Sequence, residues 1–378
     1  MPGYYSVGEA LVTESELLTK KVTGELDKFL ELSRKGEQAE LLFSTGLATA
    51  SNLVATNVDF TTGSPVPWKP VGLNKPLIVE IRHVYTGAKL KTNKKKDLLL
   101  TSAVKNIASW NAEPRAVNFL QPKIGAHDDL TTPAATEKGT PLVFYSPALV
   151  QESSVMTVEF GYDEFPDEFF GYAADAFQGA AGIPIFASVS PYLLGAGILT
   201  RLAGKLASKI FDRAPVFRAT ETLRFESGGI AAPQAGYMLL SENDLDKKFK
   251  QEHRINGDGV LEVTATSSPY EGDLAYVVLA LDGREKESLK EFAPTAASAA
   301  LLKRFYKINE GDEQPLEPLL EALKLYNDLR FRNQADDVQK ELEGLDQDAP
   351  DYAQKKKELE EKLKALKENI LNEVLQPK

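Results

Sequence analysis

Cysteine is absent from the 378-residue chain. That excludes disulfides, thiolate metal sites and every cysteine-nucleophile mechanism, and it is compatible with a reducing compartment. Histidine is nearly as scarce: His83, His127 and His253 are scattered, with no HExxH and no paired arrangement to make a zinc site. Excess positive charge is lacking too. With 44 basic against 55 acidic residues the net charge is −11, which disfavours the sequence-independent grip on nucleic acid that many Lys and Arg side chains provide. The N-terminal run MPGYYSVGEALVTESELL has no basic segment followed by an apolar one, so no secretory signal is expected and cytoplasmic residence is the default.

Phosphate-cradling and nucleophile motifs are missing as well. GAGILTRLAGKL lacks the third glycine of a dinucleotide loop and the spacing and final Ser or Thr of a P-loop. Neither LFSTGL nor FESGGI supplies the strained GxSxG turn of a serine hydrolase. No catalytic residue, cofactor site or metal site is therefore expected, and the chain is read as non-enzymatic. One cluster tests that reading: in GAHDDL, His127 precedes Asp128 and Asp129, and a carboxylate pair beside an imidazole has the chemistry for a divalent cation or acid–base work. A solvated loop is the commoner origin of such a trio.

Charge is missing in one place above all. From Ala176 to Thr200, AFQGAAGIPIFASVSPYLLGAGILT carries no charged residue, and a bilayer span needs about 20 apolar residues in a row. Gly179, Gly182 and Pro184 argue against one straight helix, because an interior proline costs about 3 kcal/mol and a glycine about 1 kcal/mol against alanine. Ser190 and Pro191 are a good helix start, predicting a helix over 191–211. On it Leu194, Ile198, Leu202, Leu206 and Ile210 form an apolar stripe, and Ala196, Thr200, Gly204 and Ser208 form a ridge of small side chains that lets another backbone approach closely.

What is present is ordinary globular composition, 43% hydrophobic and 26% charged, in a chain long enough for two or three domains. Thr13 and Glu16 make a capping-box pattern before a helix running to about Leu32, and a second helix over 37–54 would complete an N-terminal α-hairpin. TTGSPVPWKPVGLNKP, with four prolines and two glycines, marks a boundary. Alternating, β-branched runs then predict strands at 77–85, 97–104, 141–145, 154–162, 215–225, 237–240, 260–265 and 274–281, the first two joined as a β-hairpin. Asn256 to Gly259 is a tight turn before a strand. From Lys286 the pattern is helical, ending in two long arms around DQDAPD.

The expected architecture is α+β: an N-terminal helical segment and Pro-rich linker (1–72), an antiparallel β-sandwich-like domain with the 191–211 helix (73–285), and a C-terminal helical region ending in a helical hairpin (286–378). Two surfaces stand out for binding. Lys89, Lys91, Lys94, Lys95 and Lys96 reverse the local charge of an acidic protein, which suits an acidic partner or an anionic membrane, where each lysine is worth about 1 kcal/mol. Leu359, Leu363, Leu366 and Ile370 form an apolar row on the last helical arm, fit for a partner helix or self-association. The first expectation is an interaction or assembly component. The alternative is a membrane-docking or pore-forming effector, as in cell defence, whose apolar segment near 176–210 is restrained by the C-terminal helices.

Overall fold

The computed structural model describes residues 3–7, 10–23, 68–91, 94–105, 115–131, 139–146, 148–149, 152–165, 167, 170, 185–186, 215–225, 235–285, 317–347 and 349–377. The second N-terminal helix, most of the charge-free stretch and the 191–211 helix with both its ridges lie outside the described residues.

In chain order the elements are β1 (Gly3–Val7), β2 (Ala10–Thr13), α1 (Glu14–Val22), β3 (Leu77–Tyr85), β4 (Lys96–Lys105), β5 (Arg115–Ile124), β6 (Asp129–Thr131), β7 (Leu142–Ser146), β8 (Ser153–Asp163), β9 (Ile185–Phe186), β10 (Phe217–Arg224), β11 (Gly236–Ser241), α2 (Lys247–Glu252), β12 (His253–Ile255), β13 (Leu261–Val263), β14 (Ser268–Pro269), β15 (Tyr276–Asp282), α3 (Glu317–Glu343) and α4 (Tyr352–Glu368). The fold is mixed helix and antiparallel sheet. Among the described residues, one sheet runs β2-β1-β11-β15-β3-β6, with β7 also on β3, a second runs β10-β8-β4-β5-β9, and a third runs β12-β13-β14. β1 and β2 thus belong to the same sheet as β3, although the Pro-rich run separates them in sequence.

α1 starts as its capping box dictates. Thr13 N donates to Glu16 Oε2 at 2.8 Å and Glu16 N donates back to Thr13 Oγ1 at 3.2 Å. The turn at 256–259 also forms: Asn256 Oδ1 accepts from Asp258 N and Val260 N, both at 3.0 Å, and Gly259 takes φ +82°, joining β12 to β13.

β15 explains the layering. Every residue of YVVLALD is buried, so this strand is covered on both faces. Val277, Leu279 and Leu281 enter a core that also takes Leu98, Leu100, Met156, Val158, Phe160 and Phe217 from the second sheet. Tyr276, Val278 and Ala280 enter a second core with Tyr4, Tyr85, Leu239, Ile255 and Leu261, against which Trp68, Phe249 and Tyr270 pack. β10 shows the half-buried alternative, with Phe217, Ala219 and Leu223 inward and Arg218 and Arg224 outward.

The expected β-hairpin between 77–85 and the following strand is not formed. β3 pairs with β15, β6 and β7, whereas β4 pairs with β5 and β8. Both strands carry a strongly apolar face, and the chain crosses between sheets so that Val79 and Ile81 share one core with Leu98 and Leu100. A bulge then re-aims the end of β3. Leu279 pairs with Ile81 but Val278 pairs with His83, leaving Arg82 as the extra residue. Ile81 therefore lies in the shared core, and Tyr85, of the same sequence parity, lies in the second one.

Polar side chains strap the two large sheets together. Asn118 of β5, fully buried, donates to Leu142 O of β7 at 2.9 Å. Thr140 N returns a bond to Asn118 O at 2.8 Å, an approach so close that a Cβ on Gly139 (φ +151°) would lie 1.9 Å from that oxygen. On the edge strand β10, Thr222 N donates to Glu221 Oε1 at 3.1 Å while Glu221 Oε2 accepts from Gly3 N of the other sheet. Arg218 N donates at 2.9 Å to Glu242 Oε1, just after β11. Carboxylates so placed also blunt an edge that would otherwise offer free amides to another strand.

Burial, joined by the nearby Glu14 charge, raises the Glu221 pKa above its ordinary 4.5, outweighing the two amide bonds that lower it. Burial pushes Glu16 up too, but the bonds from Lys250 and Thr13 prevail and leave it lowered. Between 4.5 and the raised Glu221 value the folded chain binds more protons than the unfolded one, so this group's contribution to stability falls as pH rises through that window. The Glu16 contribution is present above 4.5 and is lost as pH falls through its lowered value. Chemical denaturation across pH should therefore show opposite trends: relative to the natural chain, Glu221→Gln gains stability as pH rises from acid to neutral, and Glu16→Gln loses it. Parallel curves for the two variants would contradict the assignment.

Candidate functional site

The bulged end of β3 brings His83 beneath the GAHDDL turn. His83 is 1% exposed, its Nε2 lies 3.0 Å from Asp129 Oδ1, and its ring packs on Tyr276 at 5.5 Å. His127 sits in the left-handed region at φ +56°. Its Nδ1 shares a 3.0 Å hydrogen bond with Tyr85 Oη, and its Nε2 lies 3.6 Å from Asp273 Oδ1. Asp128 closes its own turn by accepting from Gly125 N at 2.7 Å and lies 3.8 Å from Lys95 Nζ. The three residues thus reach three different partners. Burial, reinforced by Asp129 and other nearby charges, raises the Tyr85 phenol to about 12, so it is a hydrogen-bonding group at neutral pH. His253 is engaged within its own segment, with Nδ1 2.9 Å from Phe249 O and its ring stacked on Phe249 at 4.0 Å. Among the described residues no three His, Asp or Glu side chains are grouped to hold a metal ion.

The lysine-rich turn is less positive in space than in sequence. Lys89 pairs with Glu242, Lys96 with Glu164, and Lys95 with Asp128. Lys91 is exposed, as are Lys94 and Lys95. Between this turn and the ends of β8 and β10 opens a cleft of about 670 Å³. Ala88, Leu90, Val216 and Tyr162 give it apolar walls, Lys89, Lys91 and Lys96 bring cations to it, and Asp163 and Glu164 complete it.

At the C-terminus, α3 and α4 pack on each other through Ala335, Val338 and Leu366, with Phe331, Leu342, Leu359 and Leu363 around them. Leu366 and Ile370 are buried. Leu366 is thus enclosed between the two helices, while Leu359 and Leu363 of the same row pack against them half-buried. A polar lock unmarked by periodicity holds the tail: Asp328, buried on α3, accepts from Leu371 N at 3.3 Å and Asn372 N at 2.8 Å, and Arg332 Nη1 donates to the carbonyls of Leu375 and Gln376 at 3.2 and 3.0 Å. At the C-cap of α4, Asn369 Nδ2 donates at 2.9 Å both to Ala365 O and to Ala148 O. Ala148 adjoins Leu149, which is buried in the core shared by the two large sheets. The one sequence signal for this link is an asparagine ending a Lys- and Glu-rich helix.

Large apolar side chains remain exposed beside the lock: Leu325 (49%), Leu329 (45%), Leu371 and Val374 (88%). Among the described residues no helix is long and apolar enough to cross a membrane. The sequence matches no protein-family profile and no curated protein, so the reading of function rests on these residues.

Asn369→Ala removes the donor to Ala148 O within a buried contact. Ala148 O keeps the 3.0 Å bond from Ser146 Oγ, so the loss is that of the hydrogen bond across the contact, about 0.5–1.5 kcal/mol, and chemical denaturation should show a loss in that range; an unchanged midpoint would contradict the link.

Proposed function

We propose that the protein acts by binding, as a non-enzymatic interaction or assembly component of the cytoplasm. In this reading a sandwich-like β body carries a C-terminal helical hairpin whose outer surface meets another protein or a second copy of the chain. The observation that carries it is the exposed apolar set beside the polar lock. Leu325 and Leu329 stand one turn apart on α3, and the bonds from Leu371 N to Asp328 and from Arg332 to Leu375 O lay the tail, with Leu371 and Val374, along the same part of that helix. Apolar side chains gathered in one place on a surface mark interaction sites, whereas scattered ones need no explanation. Leu359, Leu363, Leu366 and Ile370 then serve to build the hairpin. Light scattering should find the natural chain as an oligomer or in a partner complex. Leu325→Glu with Leu329→Glu should weaken association at least about tenfold, as loss of a central apolar anchor does, with the circular dichroism unchanged. A natural chain that stays monomeric and captures no partner contradicts the proposal.

The bond from Asn369 to Ala148 favours a second reading, in which the C-terminal helices restrain a membrane-docking or pore-forming effector and 176–210 is the segment released. Under it, full-length Asn369→Ala leaks dye from anionic liposomes and the natural chain does not; no leakage from either sets that reading aside.

A further inference from the structure

We propose that the cleft beside the lysine-rich turn binds a phosphate group, seated on Lys91 and Lys96 with Lys89 alongside, the remainder of the ligand lying against Ala88, Leu90, Val216 and the Tyr162 ring. The site is separate from the helix surface of the proposed interaction. At about 670 Å³ the cleft falls within the range of small-molecule pockets, about 300–1,000 Å³, and it combines apolar walls with a few charged groups as such pockets do. Three ammonium groups suit a phosphate dianion, which offers three oxygens, better than a carboxylate, which offers two.

The three lysines differ in how firmly they are held. Lys89 pairs with Glu242, whose other oxygen accepts from Arg218 N at 2.9 Å, so the backbone of the edge strand fixes that carboxylate and orients the lysine. Lys96 pairs with Glu164, but Glu164 is 77% exposed, and such ion pairs hold weakly enough for a multivalent anion to displace the carboxylate. Lys91 is exposed and makes no ion pair among the described residues. Asp163 Oδ1 is taken up by Glu164 N at 2.8 Å. With Lys89, Lys91 and Lys96 against Asp163 and Glu164 the lining of the cleft is positive by one charge, opposite in sign to the −11 of the whole chain, so an anion meets less repulsion here than over most of the surface.

The phosphate has two possible sources, a free phosphomonoester or a phospholipid headgroup, and the test separates them. Full-length protein at low salt is titrated calorimetrically with glycerol 3-phosphate. In parallel it is sedimented with vesicles of phosphatidic acid in phosphatidylcholine, against phosphatidylcholine alone. Lys91→Ala and Lys96→Ala are each expected to weaken binding about tenfold and together to abolish it. Lys364→Ala, an exposed site on α4, is the control and should bind as the natural chain does. Binding of the soluble probe assigns a free phosphomonoester; sedimentation with phosphatidic acid alone assigns a headgroup. Binding of neither probe overturns the proposal, as does binding that survives the double substitution. If Lys96→Ala does not fold, Lys91→Ala decides alone.

Discussion

Burial of β15 on both faces is the constraint from which the rest of the structure follows. A strand apolar on both faces forces its sheet to be covered twice, by the second large sheet on one side and by Trp68, Phe249, Tyr270 and the small sheet on the other. Charged groups on such a sheet must find partners in place. Glu80, fully buried, lies 2.9 Å from Arg82. Asp282, equally buried, accepts from Lys69 N at 2.9 Å and pairs with Arg284, yet burial still raises its pKa over those contacts. These pairs hold position; removing one partner would leave an uncompensated charge in the interior.

The same economy shapes the edges of the molecule. Where the two large sheets meet, Asn118, Glu221 and Glu242 supply polar bonds across the gap, and where the C-terminal helices meet the body, Asn369 does the same. His127 and the acids of the GAHDDL turn are likewise engaged in local structure, as is His83, which the bulge at Arg82 positions on β3. Among the described residues, apolar surface on α3 and the tail and the cleft at Lys91 stand outside these local networks, and the proposed binding roles rest on them.

Much of the β body was legible in the sequence, because long strands with one or two apolar faces carry strong periodicity: 77–85, 153–163, 217–224 and 276–282 were all expected close to their observed bounds. β1, β2, β6, β9, β12 and β14 were not, since two to five residues carry little period; the equally short β7 and β13 were expected from the apolar runs 141–145 and 260–265 and the turn residues that bound them. β5 escaped for another reason. Asn118 and Gln121 are buried polar residues that break the alternation, and Pro122 precedes Lys123, whose φ of +60° interrupts the strand register. The long C-terminal helices were legible from their 3.6-residue period, but the period could not say whether the leucine row faced a partner or its own neighbouring helix. The lysine turn was legible as a charge run, and its neutralising carboxylates were not, because Glu164 and Glu242 are distant in sequence.

If the protein works as proposed, association covers the surface formed by α3 and the tail. Hydrogen–deuterium exchange compared between the associated and the dissociated forms tests it most directly. Added protection is expected on association over residues 325–332 and 371–375, with β15 equally protected in both forms. Protection gained elsewhere, with those segments unchanged, would contradict it.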